Sequence, residues 1–325
     1  MNKLYPLQFQ PLFKYRMWGG NKLKTVLNKA VEAESIGESW EISDVEGDET
    51  VVKNGRLAGY TLKQLTKEFK SEFLGHSVYE KFGDNFPLLI KFIDAKTPLS
   101  IQVHPHNDVA KERHNSFGKN EMWYIMDADD DAEIIVGFKQ TTNKETFVKT
   151  LKNGTILDLL NTVKIKAGDT FYIPTGRVHA IGAGILLAEI QQTSDITYRI
   201  YDYNRTDKTT GKTRDLHNDL AIDVIDFEAR DSYKTDYNRS PDKPNKLVHS
   251  PYFKTNILIV EDVLKIDYST LDSFVILICV SGTCTVTDDG IGHNLYKGQT
   301  LLLPAAMPKI ELKSTTGAEI LEVYY

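Results

Sequence analysis

The chain has 325 residues, of which 41% are hydrophobic and 26% charged, a composition typical of a soluble globular protein. Its 39 basic and 45 acidic residues give a net charge of −6, and no run of Lys and Arg forms a basic stripe. This balance argues against a nucleic-acid partner. The longest apolar run, FVILICV at 274–280, is far too short to cross a bilayer.

The N-terminal sequence and the cysteines indicate the compartment. MNKLYPLQFQPLFKYRMWGG lacks the uninterrupted apolar core of a signal peptide, so we expect a cytoplasmic protein. The two cysteines, Cys279 and Cys284, lie close together in strand-like sequence. In a reducing compartment they are interpreted as small apolar residues without a disulfide.

Short strand-like segments separated by Gly, Pro, Asn and Asp dominate the first two thirds of the chain. In chain order they are ESWEIS (38–43), FPLLIKFIDA (86–95), LSIQVH (99–104), MWYIMDA (122–128), AEIIVGF (132–138), DTFYIP (169–174) and GILLAEIQQ (184–192). Their density favours a sandwich or barrel. Apolar residues at helical spacing predict helices within 61–75, 141–161 and 215–226. The predicted fold is therefore mainly β with helical insertions.

A change of composition predicts a boundary between two lobes. The stretch EARDSYKTDYNRSPDKPNKLVHSP, from about 227 to 250, is polar and holds three prolines, as linkers do. The strand-like segments FKTNILIV, VLKIDY, FVILICVSGTCTV, QTLLLP and AEILEVYY follow it. We expect a first lobe at 1–240 that carries the helical insertions and a compact second lobe at 241–325.

The two lobes share a sequence pattern. VKIKAGDTFYIPTGRVHAIGAGILLAEIQ in the first lobe and HNLYKGQTLLLPAAMPKIELKSTTGAEILEVYY in the second both contain a Gly turn, an apolar strand and then Pro. His179 stands five residues after Pro174, whereas Lys309 stands five residues after Pro304. This difference is what a duplication would leave if only one copy kept a metal ligand.

The segment SIQVHPH at 100–106 alternates polar and apolar residues. Alternation places Gln102, His104 and His106 on one face of a strand, although a half-buried strand with a solvated polar face is the usual explanation of such a segment taken alone. Because His106 follows Pro105, it has the weaker claim to a metal and is interpreted as structural. The remaining histidines show no comparable pattern.

GDTFYIPTGRVHAIGAG at 168–184 resembles the second motif of the cupin superfamily. The resemblance implies two cupin (jelly-roll) lobes, with His179 a metal ligand at the mouth of the first. Gln102 and His104, two residues apart on one face, could reach the same ion, and Glu121 at the head of the next strand could complete the set. Two imidazoles and two oxygens suit one Zn²⁺ with an open position, although Fe²⁺ or Mn²⁺ could also bind.

Six segments together resemble the type I mannose-6-phosphate isomerases, in particular their short bacterial form. They are YRMWGG, PLSIQVHPHND, GKNEMWYI, GRVHAIGAG, SDITYRIYDYNR and KTRDLHNDLAIDVIDF. The resemblance covers nearly the whole chain and implies a zinc-dependent interconversion of mannose 6-phosphate and fructose 6-phosphate. By motif, the family's zinc ligands fall on Gln102, His104, Glu121 and His179. The longer eukaryotic form has Lys-Pro-Glu where this chain has Lys119-Asn120-Glu121, so the short form fits better.

An aldose–ketose isomerase moves a proton between C1 and C2 through an enediol(ate), and it therefore needs a base. Lys119, two residues from Glu121, and Glu189, on the strand after the His179 turn, are the candidates. A cation near Lys119 would lower its pKa toward the working range, whereas the same cation would weaken Glu189 as a base. Lys119 is therefore favoured. A solvated loop lysine and an exposed strand carboxylate are the alternative interpretations.

Four further residues complete the predicted site. Arg199 shares a strand face with Thr197 and could hold phosphate or the enediolate oxygen, and the resemblance marks it as the active-site arginine. Trp18, Ser100 and Asp195 match family positions that line the substrate pocket. A surface strand arginine is the alternative for Arg199.

Two other functions remain open from the sequence. A metal-dependent cupin oxygenase or oxidase would usually present more histidines and a redox-active ion, and Gln102 argues mildly against it. A non-catalytic sugar-phosphate-binding cupin would be expected to lose ligands or the Lys119 and Arg199 pair. The expected partner is a small sugar phosphate, without nucleic acid or membrane, and the expected state is a monomer or weak homodimer.

Overall fold

The structure, a computed structural model, describes residues 4–325. The first fifteen strands are β1 (Phe9–Gln10), β2 (Leu12–Gly20), β3 (Ile36–Ile42), β4 (Asp44–Val45), β5 (Asp48–Glu49), β6 (Val51–Val52), β7 (Leu88–Ala95), β8 (Ile101–Val103), β9 (Glu121–Ala128), β10 (Glu133–Phe138), β11 (Leu160–Lys164), β12 (Thr170–Ile173), β13 (His179–Ile181), β14 (Ile185–Gln192) and β15 (Tyr198–Tyr201). The last eight are β16 (Pro244–His249), β17 (Lys254–Val260), β18 (Val263–Asp267), β19 (Val275–Asp288), β20 (Ile291–Tyr296), β21 (Thr300–Leu303), β22 (Lys309–Lys313) and β23 (Ala318–Tyr324).

The helices are short and lie mostly in the first part of the chain. They are α1 (Lys22–Thr25), α2 (Leu62–Leu74), α3 (His76–Phe82), α4 (Asn107–His114), α5 (Lys144–Asn153) and α6 (Asn218–Ile222), with 3₁₀ turns at Gly55–Leu57 and Ile156–Asp158. A capping box between Thr61 and Gln64 begins α2, because each side chain accepts a hydrogen bond from the other residue's backbone N–H. No helix among the described residues is long and apolar enough to cross a membrane.

Two antiparallel sheets form the first lobe. Their strand orders are β12-β9-β14-β7-β2-β3 and β11-β10-β13-β8-β15. The central strands β7 and β14 are buried along their whole length, since every residue of both lies in the interior. This arrangement confirms the predicted mainly β, cupin-like fold, and it places β8 and β13 on one sheet and β9 and β14 on the other.

The predicted strands and helices are present with shifted ends. Each of the seven first-lobe segments contains a strand, and α2, α5 and α6 lie in the three predicted helical stretches. The segment 99–104 forms strand only over Ile101–Val103, so His104 lies just beyond it. Helix α4 was not predicted, because NDVAKERH has a single buried residue, Ala110, and hence no apolar stripe to reveal it.

The second lobe is an eight-stranded sheet. Its path runs β16-β17-β23-β19-β22-β18, with β20 and β21 also paired to β19. Strand β16 lies inside the polar stretch interpreted as linker, which corrects that interpretation. Leu247 and Val248 are buried in the strand and hold it in the sheet. We propose residue 240 as the lobe boundary, within the connection that leads to β16.

One hydrophobic core joins the lobes. It contains Phe73, Phe86 and Phe92 of the first lobe together with Phe274 and Leu321 of the second. The lobes are also tied by polar contacts, since Asp272 accepts hydrogen bonds from the backbone N–H groups of His76 and Ser77 at the start of α3. The lobes therefore pack as one body.

The two cysteines are free and buried, as expected. Burial raises the pKa of Cys279 to about 12 and that of Cys284 to about 11. Both thiols are therefore protonated at neutral pH.

Candidate active site

Three potential metal ligands meet between the two sheets of the first lobe. His179 begins β13, Glu121 begins β9, and His104 follows the end of β8. Their candidate ligand atoms all lie within 4.8 Å of one another, and all three side chains are buried. Gln102 stands opposite His179 in the β8–β13 pairing, and its Nε2 lies 3.3 Å from His179 Nε2. The cluster is therefore a candidate metal site with Gln102 at its edge.

The oxygens of Glu121 face the two imidazoles. Oε1 lies 3.3 Å from His179 Nε2, and Oε2 lies 3.5 Å from His104 Nε2. Glu121 is fully buried, and neither oxygen has a hydrogen-bond partner in the described part of the chain. A buried carboxylate is costly unless a cation compensates it, and Lys119, whose Nζ lies 3.1 Å from Oε2, supplies part of that compensation. The cluster has the donor set that a divalent cation takes.

Backbone carbonyls orient both imidazoles. His104 Nδ1 lies 2.9 Å from the carbonyl of Ile196, and His179 Nδ1 lies 2.8 Å from that of Arg177. A carbonyl can only accept, so Nδ1 carries the proton and Nε2 presents its lone pair to the cluster. Burial also lowers the pKa of His179 to about 4 and that of His104 well below its usual range. Both rings are neutral at pH 7, as metal ligands must be.

Lys119 is buried against the cluster. Its Nζ lies 3.1 Å from Glu121 Oε2 and 3.3 Å from His104 Nε2, and only 4% of the residue is exposed. Burial lowers the pKa of Lys119, but the carboxylates of Glu121, Glu189 and Asp195 outweigh burial, so the pKa lies above its ordinary value. The solvated-lysine interpretation is therefore excluded by the burial.

Glu189 approaches the cluster from β14. It is 3% exposed, its Oε1 accepts a 3.1 Å hydrogen bond from Trp123 Nε1, and its Oε2 lies 3.4 Å from Lys91 Nζ. Burial raises the pKa of Glu189, and the nearby Glu121 carboxylate raises it further. Glu189 is not the exposed strand carboxylate of the alternative interpretation.

A cavity of about 350 Å³ opens beside the cluster. Five cationic side chains line it, namely Arg16, Lys91, Lys119, Arg199 and Arg214, together with three acidic ones, Glu38, Glu189 and Asp195. Trp18, Ser100 and Gln102 also line it, so every residue that the sequence predicted for substrate contact or catalysis borders the same space. An excess of positive charge in a partly enclosed cavity favours an anionic ligand.

Arg199 is held in place by its neighbours at the cavity wall. Its Nε donates to Ser100 Oγ at 3.2 Å, and its Nη1 donates to the carbonyl of Asp215 at 2.9 Å. Its backbone N–H donates to His217 Nδ1 at 3.1 Å. Burial lowers the pKa of Arg199, and the charge of Arg214 adds to this effect. His217, predicted to be ordinary, thus helps to position the arginine strand.

Four charged residues of the cavity were not predicted, namely Arg16, Glu38, Lys91 and Arg214. Lys91 interrupts the apolar run LLIKFI at the start of β7, and a charged residue inside a buried strand is a signal that could have found it. Glu38 lies between Arg16, whose Nη2 donates to it at 2.8 Å, and the ring N–H of Trp40, which donates at 2.7 Å. Burial raises the pKa of Glu38, but Lys91 and Arg16 outweigh burial and lower it to about 2.

His106 lies outside the cluster. It precedes α4 as its N-cap residue, and its Nδ1 lies 2.7 Å from Thr175 Oγ1. Because β8 ends at Val103, the strict alternation that placed three polar residues on one face does not continue to His106. Its role is structural in the turn beside the site.

Comparisons with known proteins agree with this site. A family model of the type I phosphomannose isomerase catalytic domain matches residues 6–147, and a model of the mannose-6-phosphate isomerase cupin domain matches residues 243–324. The chain is 37% identical to the probable mannose-6-phosphate isomerase GmuF of Bacillus subtilis, over 96% of this chain and 97% of the relative. It is 35% identical to the mannose-6-phosphate isomerase ManA of B. subtilis, over 95% and 96% of the two chains.

Solved structures extend the comparison. The crystal structure of the mannose 6-phosphate isomerase from B. subtilis superposes with a TM-score of 0.88 at 33% identity, covering 99% of this chain and 100% of that one. A phosphomannose isomerase from Salmonella typhimurium, at 15% identity and a TM-score of 0.80, covers 99% of both chains and shares the fold. The similarity therefore spans both lobes.

Proposed function

We propose that this chain, which belongs to the type I mannose-6-phosphate isomerase family, interconverts mannose 6-phosphate and fructose 6-phosphate with one bound zinc ion and through an enediol(ate). The observation that carries the chemistry is the His104, Glu121 and His179 cluster beside a cavity rich in cationic side chains. The chain is an enzyme of this isomerase class, and the metal, the intermediate and the residue roles are the proposed part.

The proposed ligands are Gln102, His104, Glu121 and His179. The oxygens of Glu121, which lie 3.3 and 3.5 Å from the inward Nε2 atoms of His179 and His104, support this set. Two imidazoles and a carboxylate form a common catalytic zinc set, and a side-chain oxygen of Gln102 would add a fourth donor. When bound, zinc supplies Lewis-acid polarisation of the sugar oxygens.

Lys119 is proposed as the base that moves the proton between C1 and C2. It borders both the cavity and the ligand cluster, so its Nζ can reach a substrate carbon held near the cluster. Its raised pKa arises from Glu121 among other carboxylates. A divalent cation held by Glu121 would offset that carboxylate's charge and bring the lysine closer to the working range.

Glu189 is the second candidate base, favoured by one specific observation. Trp123 fixes its Oε1, while its Oε2, which faces Lys91, has no hydrogen-bond partner among the described residues. If Lys119 is the base, Glu189 instead pairs with Lys91, whose Nζ lies 3.4 Å from its Oε2, and holds that side chain in place.

Arg199 is proposed to hold the phosphate or the enediolate oxygen. Its Nε and Nη1 are used by Ser100 and Asp215, so the remaining N–H groups of the planar guanidinium are available to an anion. Ser100, Trp18 and Asp195 line the same cavity and are proposed substrate contacts. The surplus of cationic side chains there fits a sugar phosphate better than a neutral sugar.

One assay tests the proposal as a whole. Purified protein is given mannose 6-phosphate, and fructose 6-phosphate formation is measured before chelation, after chelation and after zinc is restored. We expect activity to disappear with the metal and to return with about one equivalent of zinc per chain. Activity that survives complete metal removal would overturn the metal-dependent mechanism, and oxygen uptake without isomerisation would indicate an oxidase instead.

A further inference from the structure

A single buried carboxamide lies between the proposed base and a proposed metal ligand. Asn120 stands between Lys119 and Glu121 and is 2% exposed. We infer that Asn120 is a positioning residue whose side chain fixes the Lys119–Glu121 segment against the segments that carry Glu189 and His179. The inference rests on the proposed function, because it concerns the geometry of the zinc ligands and the base.

Three hydrogen bonds join Asn120 to Gln192, three residues beyond Glu189 on β14. Gln192 Oε1 accepts from the backbone N–H of Asn120 at 3.1 Å and from its Nδ2 at 2.7 Å. The backbone N–H of Gln192 donates to the carbonyl of Asn120 at 3.2 Å. Both the main chain and the side chain of Asn120 are therefore anchored to the strand that carries Glu189.

The other end of the carboxamide binds the turn that leads to His179. Asn120 Oδ1 accepts from the backbone N–H of Thr175 at 3.1 Å and from the hydroxyl of Tyr172 at 3.3 Å. The next residue, Gly176, donates its N–H to the carbonyl of His104 at 3.0 Å. Through this turn the Asn120 side chain is connected to the segments of both histidines of the cluster.

Gln192 continues the network to the other side of Lys119. Its Nε2 donates to Asn107 Oδ1 at 3.1 Å, and the same oxygen accepts from the backbone N–H of Gly118 at 2.8 Å. The short segment from Gly118 to Glu121 is thus held on both sides of Lys119. Displacement of the base would require several buried hydrogen bonds to break together.

The chemistry of the position favours asparagine. The site uses one oxygen with two acceptor directions and one N–H donor, and among side chains of this size a carboxamide provides both. An aspartate would lose the donor to Gln192, and an alanine would leave Thr175 N–H and Gln192 Oε1 with fewer partners. Asn120 is not among the described residues that line the cavity, so it acts through Lys119 and Glu121 and does not contact substrate.

The first test is zinc affinity, measured by competition with a chromogenic chelator on wild-type, Asn120→Ala and Asn245→Ala proteins. Asn245 is a matched control, since it is 4% exposed in the second lobe and its carboxamide also bonds backbone groups, accepting from Ser240 N–H and donating to three carbonyls. We expect Asn120→Ala to bind zinc about 10- to 100-fold more weakly, as outer-shell substitutions commonly do. Asn245→Ala should lower the melting temperature without changing zinc affinity.

The second test is kinetics with zinc at saturation. Because Asn120 positions the base but does not contact substrate, Asn120→Ala should lower kcat while KM stays nearly unchanged. If Asn120→Ala does not fold, Gln192→Met removes the side-chain hydrogen bonds between Gln192 and Asn120. It should lower zinc affinity and kcat in the same direction by a smaller factor. Wild-type zinc affinity and kcat in the folded variants, or equal zinc loss in Asn245→Ala, would overturn the inference. A wild-type protein that holds no zinc and does not isomerise the substrate would overturn the proposed function itself.

Discussion

Each lobe has a buried carboxylate at the matching position of its sheet, but the residues around the two carboxylates differ. In the first lobe Glu189 lies opposite Lys91 on one neighbouring strand and Trp123 on the other. In the second lobe Glu322, five residues after Gly317 as Glu189 is five after Gly184, lies opposite Asn256 and Leu277. Both carboxylates are buried. The lobes thus share strand pairing as well as the repeated sequence pattern.

The metal-ligand positions diverge at the same points of the pattern. His179 begins β13 and pairs with Gln102, whereas Lys309 begins β22 and pairs with Asp267. Lys309 is exposed, and its Nζ lies 3.5 Å from Asp267 Oδ2. Glu121 pairs with Ile173, and the matching pair in the second lobe is Val275 with Leu303. In the second lobe Val275 therefore stands in the place of Glu121. The exposed Lys309–Asp267 pair stands in the place of His179 and Gln102.

The second lobe satisfies its carboxylate internally. Tyr268 donates its hydroxyl to Glu322 Oε1 at 2.6 Å, and Asn256 Nδ2 donates to Oε2 at 2.7 Å. In the first lobe the matching Glu189 accepts one hydrogen bond, from Trp123 Nε1, while its Oε2 lies 3.4 Å from Lys91 Nζ and has no hydrogen-bond partner among the described residues. We propose from this comparison that the second lobe, where protein groups bond both oxygens of the carboxylate, holds no metal, and that the first lobe holds the cation and the ligand.

The largest effect is expected from the ligand position that separates the lobes. His179→Ala removes one of three closely spaced donors, so zinc content should fall sharply and kcat/KM should fall by at least about 10⁴-fold as several kcal/mol of Lewis-acid stabilisation are lost. Metal analysis and the isomerase assay check this. Lys309→Ala, the matched change in the second lobe, should leave both unchanged, and zinc retained at full occupancy in His179→Ala would contradict the assignment.

The base is tested by exchange of the substrate C2 proton with solvent deuterium. Lys119→Ala should keep its zinc and lose exchange and turnover by about 10³-fold, the usual scale for a general base. Glu189→Gln should retain part of the exchange, because it removes a charge near the base but not the base itself. Mass spectrometry of substrate and product in heavy water measures both variants. Retained exchange in Lys119→Ala together with abolished exchange in Glu189→Gln would reverse the roles.

Arg199→Lys keeps the positive charge but replaces the planar guanidinium with an ammonium group, so it tests whether the planar shape is required. A lysine cannot reproduce the planar fork, so the bonds to Ser100 and Asp215 and the bidentate grip on an anion would be lost together. We expect kcat/KM for mannose 6-phosphate to fall by roughly 10- to 100-fold in a variant that folds normally. Near-normal kinetics would place Arg199 outside the contacts to substrate.

Local patterns in the sequence predict the positions of strands and turns better than they predict how deeply a side chain is buried. Short strand-like segments bounded by Gly, Pro, Asn and Asp correctly predict the seven first-lobe strands, and the Gly and Pro turn before His179 correctly predicts the end of the strand that precedes it. Alternation does not say that Lys119 and Glu189 are buried, because burial depends on which sheet covers them. Strand β16 could not be recognised in the polar sequence, because pairing with β17 holds it in the sheet and no local apolar pattern marks it.

The network around Asn120 also could not be predicted from the sequence. Its partners Thr175 and Gln192 are 55 and 72 residues away in sequence, and only the fold brings them together. Lys91 could have been noticed, since a lysine in the middle of LLIKFI interrupts the apolar part of a buried strand. A charged residue inside a buried strand indicates that the interior there contains a polar site as well as packed apolar side chains.

A stability measurement tests the claim that Tyr268 completes the interior of the second lobe. Tyr268→Phe removes the hydroxyl that donates to Glu322 and leaves that buried carboxylate with one donor fewer. We expect the free energy of unfolding to fall by about 1–3 kcal/mol in urea denaturation, while kcat and zinc content stay at wild-type values. A loss of activity at saturating zinc in folded Tyr268→Phe would show that the second lobe takes part in the chemistry.

The smallest effect concerns Asp44 of the first lobe, a half-buried carboxylate that is less completely satisfied than Glu322. Its Oδ2 accepts from the backbone N–H of Phe86 at 2.9 Å, while its Oδ1 has no partner among the described residues. Burial raises the pKa of Asp44 from 3.8 to about 6. Because the folded pKa exceeds the unfolded value, this carboxyl stabilises the fold below about pH 4, and that contribution is lost as the pH rises through 6.

The wild-type free energy of unfolding should therefore lose about 1–2 kcal/mol between pH 4 and pH 7 through this group, less than the full shift implies because the side chain is partly exposed. Asp44→Asn cannot ionise, so its stability should depend less on pH by that amount whatever its absolute stability. Urea titrations of both proteins at pH 4 and pH 7 give the difference directly. Equal pH dependence in the two proteins would show that Asp44 is solvated well enough to ionise without cost.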